Sequence, residues 1–232
     1  MTDRDSLAAL TAEIVACRRC PRLGEWRERA AREKVPRFRD ETYWGRPVPG
    51  FGDPEARILI VGLAPAAQGG NRTGRVFTGD ASGDFLFAAM HAVGLANQPT
   101  SQRADDGLNL IDAYVAAAVR CAPPNNKPLP AERDNCAPYL ARELGLLERV
   151  RVLLPLGAYA WDAAFRAIAA TTGDDPRPRP RFGHGAEAST GGYAVVASYH
   201  PSQQNTFTGR LTQPMLREVL RRALELARQR ST

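Results

Sequence analysis

From residue 57 onward the chain alternates short apolar runs with longer amphipathic stretches, and that alternation leaves few folds open. Arg57-Ile58-Leu59-Ile60-Val61 reads as a fully buried strand, because it is apolar, rich in β-branched residues and too short for a helix. Further strands are predicted near 113–119, 151–156 and 193–198, and helices near 83–94, 131–147, 158–170 and 212–229. Strands separated by helices pair in parallel, with helices covering both faces of the sheet. The expected fold is α/β: a single-domain three-layer α/β/α sandwich over residues 1–232, with a central, mostly parallel four-stranded sheet. A chain of 232 residues, 44% hydrophobic, is long enough to fill one such core.

Ahead of the first strand, Leu7, Leu10 and Ile14 stand at helical spacing and lead into Cys17-Arg18-Arg19-Cys20-Pro21, so the first cysteine pair is expected to cap a helix. The basic segment after it reads as irregular, and residues 45–54, GRPVPGFGDP, are too rich in Gly and Pro for regular structure. The N-terminus carries no basic and apolar leader pattern, and no apolar run suits a membrane span, so a cytoplasmic, membrane-free protein is expected. In that compartment four cysteines do not suggest a disulfide framework. Cys17, Cys20, Cys121 and Cys136 follow the pattern C-x2-C-x100-C-x14-C, which suits zinc, an iron-sulfur cluster or four unrelated thiols. Spacing alone does not separate these.

Lys and Arg outnumber Asp and Glu by 31 to 25, which makes a polyanion a natural partner and a solvated basic surface the plain alternative. In parallel sheets ligands bind beyond the carboxyl ends of the strands. Here those ends read GLAPAAQGGNRTGRVFTGD, RCAPPNNKP, LGAYAW and SYHPSQQNTFTGR. The first lacks both the Gly-Lys-Ser/Thr ending of a phosphate-binding loop and the G-x-G-x-x-G of a dinucleotide site, which disfavours nucleotide hydrolysis.

Gly62-Leu63-Ala64-Pro65-Ala66 instead resembles the first motif of the uracil-DNA glycosylase superfamily. With GGNRTGRVFTGDASGDF, RCAPPNNKP and SYHPSQQNTFTGRLT, nearly the whole chain resembles its family 5, or type B, branch. The resemblance implies a monofunctional DNA glycosylase of base excision repair. Such an enzyme acts as a monomer on DNA containing uracil or other deaminated bases, such as hypoxanthine, and leaves an abasic site. A non-catalytic nucleic-acid-binding protein with a structural metal cluster is the competing class. Families 4 and 5 carry a 4Fe-4S cluster on a cysteine pattern that Cys17, Cys20, Cys121 and Cys136 match.

Site residues follow from the same motifs. Phe77 matches the phenylalanine that stacks on the extruded base. Family 4 reads the base with an asparagine on the second strand, but the matching stretch here is Ala116-Ala117-Ala118, so Asn126 is the candidate and Asn125 the weaker one. Leu63 and Ala64 stand where most members carry an acidic or amide residue. That leaves Asp80 to orient water or face the sugar cation, a helix N-cap being its ordinary alternative. His200 is expected to stabilise the departing base, and Gln68 replaces a histidine common in family 5. Ala64 and Gln68 would border the base. Arg72, Arg75 and Arg210 are expected on phosphates, and Ser202, Gln203, Gln204 and Asn205 on the minor groove, with hydrogen bonding where a relative has an apolar wedge. His91 and His184 look incidental, although His184 has the chemistry to touch phosphate, and Lys127 is the one lysine to watch for Schiff-base chemistry.

Overall fold

A computed structural model describes residues 5–229, so the two ends of the expected domain, 1–4 and 230–232, lie outside the described residues. The elements run α1 (Leu7–Ala16), α2 (Pro21–Glu33), β1 (Phe51–Gly52), β2 (Ile58–Gly62), α3 (Gly70–Thr73), α4 (Ala81–Ala92), β3 (Ala113–Ala117) and α5 (Pro130–Leu146). They continue with β4 (Val152–Pro155), α6 (Ala158–Thr172), β5 (Glu187–Thr190), β6 (Tyr193–Val196), α7 (Gln203–Phe207) and α8 (Gln213–Gln229). Among the described residues no helix is long and apolar enough to cross a membrane.

The strands form one sheet in the order β1-β3-β2-β4-β6-β5. Its middle four, β3, β2, β4 and β6, are parallel and correspond to the four expected from the sequence. The expected four-stranded sheet is corrected to six strands among the described residues, because β1 and β5 add antiparallel edges to β3 and β6. Both edges escape period-2 reasoning, since β1 is two residues long and β5 has a single buried position. A signal for β5 was nonetheless present: Gly191-Gly192, with φ of 54° and 84°, is a two-residue hairpin turn leading into β6.

The central strands are buried on both faces, so their alternation sorts side chains between two cores. Ile58 and Ile60 pack with Leu86, Phe87, Leu216 and Leu220 of α4 and α8. Leu59 and Val61 pack with Leu140, Leu144, Phe165 and Ile168 of α5 and α6. A second correction concerns residues 21–33, expected to be irregular and found as α2. Pro21 opens the helix at a position where its missing N–H costs nothing. Its buried residues are Leu23 and Arg27, one helical turn apart, and the inward-facing arginine hides the amphipathic period.

Topology then places the site. The chain leaves β2 to add β3 on one side and later β4 on the other, so the switch point lies at the carboxyl end of β2. At the exit of β3 a buried ion pair, Arg120 with Glu143 of α5, is 1% and 2% exposed, and Glu143 also accepts the Gly50 N–H at 3.2 Å. This pair ties the β3 exit, and with it Cys121, to the helix that carries Cys136.

Candidate active site and cysteine pocket

The loops beyond β2 and β6 enclose a cleft of about 690 Å³, within the usual range for a small-molecule pocket. It brings together Ala64, Gln68, Phe77, Asp80, Asn126, His200, Ser202, Gln203 and Gln204, which the sequence places up to 140 residues apart. Asn125, Arg72, Arg75, Asn205, Arg210 and Lys127 are not in its wall. Arg37, Phe38, Ser82 and Gln102 are, and sequence reasoning missed them. Arg37 and Phe38 come from the basic segment before β1, where no period marks a side chain that turns inward.

Phe77 adopts φ of 53°, a conformation costly for a bulky side chain at roughly 1–3 kcal/mol, so the surroundings must hold it there. Arg72 and Arg75 do so. Arg72 pairs with Glu41, and its Nε and Nη2 donate to the carbonyls of Gln68 and Gly79 at 2.8 and 2.9 Å. Arg75 donates to Thr78 Oγ1, Ser101 Oγ and Asp106 Oδ1 at 2.9, 2.9 and 2.7 Å. Both are buried and brace the loop between Gln68 and Asp80. Gly62 lies beneath the ring, where an added Cβ would sit 2.7 Å from Phe77 Cε2.

Asp80 is both a helix cap and part of the cleft wall. As the N-cap of α4 its Oδ1 accepts the Gly83 N–H at 2.9 Å, while the carboxylate also lines the cleft. Gly69 makes room for the other oxygen, since a Cβ there would stand 1.9 Å from Oδ2. Burial raises the carboxyl pKa above the usual 3.8, against the hydrogen bonds from Gly83 and Ser82 that lower it. Across the cleft the His200 ring lies 5.8 Å from that of Phe77, tilted by 34°. Burial brings its pKa from 6.5 down to about 4, so the imidazole is neutral at pH 7. Gln68, in place of the family's frequent histidine, accepts a hydrogen bond from the Tyr43 hydroxyl.

Asn126 is exposed at the cleft wall with φ of 55°, next to Asn125 at 53°, a left-handed pair that asparagine tolerates well. The loop after β6 holds its own shape through internal hydrogen bonds. Ser202 caps α7 and Asn205 Nδ2 donates to the His200 carbonyl at 2.8 Å, so both hold the loop together. Gln203 and Gln204 are exposed. Phe207, overlooked in the sequence, ends α7 with 80% of its surface exposed. Its neighbour Arg210 is exposed and lies over the Tyr199 ring at 4.5 Å.

The cysteines collect on the other flank. Cys20, Cys121 and Cys136 pack with Leu23 and Val119, and Cys17 lies against Tyr139; none forms a disulfide. Two of the sulfurs accept a side-chain hydrogen bond: Cys20 from Asn135 Nδ2 at 3.5 Å and Cys121 from Arg27 Nη1 at 3.1 Å. Burial pushes the Cys121 thiol up to about 11, against the pull of Arg27. Among the described residues no three His, Cys, Asp or Glu side chains meet closely enough for a single metal ion. Tyr159, whose buried hydroxyl has no protein partner, packs against the same cysteines.

A family model described as the uracil DNA glycosylase superfamily matches residues 49–224. The chain is 52% identical to a type-5 uracil-DNA glycosylase of Mycobacterium tuberculosis over 224 residues, 96% of this chain and 82% of the relative. It is 52% identical to the type-5 enzyme of Thermus thermophilus over 220 residues, covering 94% and 97%. A type-4 uracil-DNA glycosylase of Archaeoglobus fulgidus is 28% identical over 222 residues, covering 92% and 87%.

Proposed function

The chain belongs to the uracil-DNA glycosylase superfamily, in its type-5 branch, and from that premise we propose that it excises uracil from DNA in base excision repair through Asp80, Asn126 and His200. One observation supports the assignment of roles above all: a single cleft at the strand ends holds an aromatic ring, a half-buried carboxylate, an amide and a neutral imidazole together. Hydrolysis of the glycosidic bond requires an extruded base, a stabilised sugar cation and a stabilised base anion. Phe77 stacks on the base and Asn126 hydrogen-bonds its polar edge. Asp80 orients water and faces the positive charge that develops on the sugar. His200, neutral, donates an N–H to the departing base, stabilising negative charge without first having to lose a proton.

With Ala64 where other members carry a carboxylate or amide, the pocket also accepts hypoxanthine. Lys127 is outside the cleft wall, so the reaction ends at an abasic site without strand cleavage by the protein. The test is a uracil-containing oligonucleotide, treated with alkali after incubation. Strand breaks appear only after alkali, and their absence at any enzyme concentration sinks this reading.

The four cysteines fit a 4Fe-4S cluster better than zinc. Four unpaired thiols, two buried and two half-buried, with Arg27 and Asn135 donating to two of the sulfurs and the orphan Tyr159 hydroxyl packed beside them, suit a thiolate-held cluster. Cys17, Cys20, Cys121 and Cys136 would hold it, and when bound it supplies a covalent tie between the end of α1, the start of α2, the β3 exit and α5. We place the protein in the cytoplasm, acting as a monomer.

Phe207 is the apolar side chain on the loop that meets the DNA stack. Phe207→Ala is expected to weaken excision from duplex DNA by about tenfold, consistent with about 1–3 kcal/mol for a base–aromatic stack, and to change single-stranded excision far less. Parallel single-turnover assays on the two substrates check this; an equal loss on both would remove the wedge role.

A further inference from the structure

Arg27 is the anomaly of α2. Its side chain is 2% exposed, and a guanidinium taken out of water needs a compensating anion. The adjacent carboxylate, Glu28, accepts from Nη2 at 3.1 Å but is 45% exposed, so solvent screens it. The Nε donates to the Gly45 carbonyl at 3.1 Å, a neutral acceptor. The remaining contact is Nη1 on Cys121 Sγ, also at 3.1 Å and fully buried. The donor on Cys20, Asn135 Nδ2 at 3.5 Å, is uncharged. Among the described residues, Arg27 is the charged side chain that hydrogen-bonds a cysteine sulfur.

We infer that Arg27 is the buried counter-charge of the four-cysteine site, setting the reduction potential and oxidative lifetime of the iron-sulfur group held there. This rests on the reading of the cysteines as cluster ligands. Four thiolates give the loaded site a net negative charge, which supplies the anion that the buried guanidinium lacks. A fixed positive charge beside the thiolates favours whichever redox state carries more electrons, so it opposes loss of an electron. When an added one-electron oxidant such as ferricyanide takes an electron from the cluster, Arg27 makes that step less favourable and thereby slows cluster breakdown. Its position in a helix otherwise read as a basic surface segment follows from this role: the residue faces inward because its partner is there.

The test compares the full chain with Arg27→Met, Arg27→Lys and Glu28→Gln, each purified without oxygen, by iron and sulfide content, redox titration and bleaching under ferricyanide. Arg27→Met is expected to shift the oxidised-to-reduced ratio at fixed potential by roughly tenfold toward oxidised, equivalent to about 59 mV for one electron, with faster bleaching. Arg27→Lys, which keeps the charge but not the fork, should fall between. Glu28→Gln, an exposed change that does not threaten folding, removes a carboxylate that solvent only partly screens and should move the potential the opposite way by less than Arg27→Met does. An unchanged potential in Arg27→Met with full iron content overturns the inference, and if Arg27→Met fails to fold an unchanged potential in Glu28→Gln with full iron content does so. A lower melting temperature with no shift in potential also overturns it, as a purely structural role. A parent chain without iron would instead remove the cluster reading itself.

Discussion

Replacing Asp80 by Asn is expected to lower single-turnover release of uracil by roughly 10²–10⁴-fold, the range for a positioned acid–base group, while DNA affinity stays close to that of the parent chain. The substitution separates the two roles that Asp80 combines. Asn caps helices as well as Asp does, and its carbonyl oxygen can still accept the Gly83 N–H now accepted at 2.9 Å. What disappears is the negative charge in the cleft and its capacity to orient water. Burial raises the pKa of this carboxyl in the folded chain, so ionisation opposes folding. The associated stability is full below the unfolded pKa and is lost as pH rises through the higher folded one. Asp80→Asn should therefore melt above the parent at neutral pH while being nearly inactive, a trade of stability for activity. The parent's pH–rate profile should show an acid limb above the ordinary carboxylate range, and the variant should lack it. Rapid-quench kinetics with excess enzyme, together with thermal melts, check both. A near-parental rate in the Asp80→Asn variant would reduce Asp80 to a cap.

Replacing His200 by Ala should cost roughly 10²–10³-fold in the same assay, the measured scale for removing one donor that stabilises a developing anion. His200→Asn, which restores a neutral N–H donor, should recover part of the loss. Because the folded pKa is brought from 6.5 down to about 4, the parent rate should show no inflection from this residue near pH 6.5. The same shift predicts a stability effect. Above pH 6.5 the ring is neutral in both states; between 6.5 and about 4 the unfolded chain takes a proton that the folded chain refuses, so stability falls with pH through that window. His200→Ala should remove this part of the acid destabilisation. If denaturant unfolding at pH 5 and pH 7 gave the same difference with and without His200, the ring would not be the desolvated group described.

The motifs were legible because glycosylase chemistry requires particular residue types, and Phe77, Asp80, Asn126 and His200 stand at strand ends that open onto one place. The residues that read poorly share a physical cause. Arg27, Arg72 and Arg75 look like surface charge in a basic chain, and only their partners show that they are internal. A sequence lists charges without the carboxylates, carbonyls and sulfurs that neutralise them. Phe207 was missed for the converse reason: an aromatic residue is ordinarily expected inside, and this one ends a five-residue helix facing solvent.

Period, turn chemistry and residue type are local properties, and they suffice for the parallel four-strand centre, the identity of the loops at the strand ends and the four cysteines. Folding in three dimensions was needed for the two antiparallel edges, the helical state of residues 21–33, the bracing of the Phe77 loop and the convergence of Arg27 on Cys121. Each of these depends on which groups meet across the folded chain or on a strand too short to show a period, and no local pattern encodes such meetings.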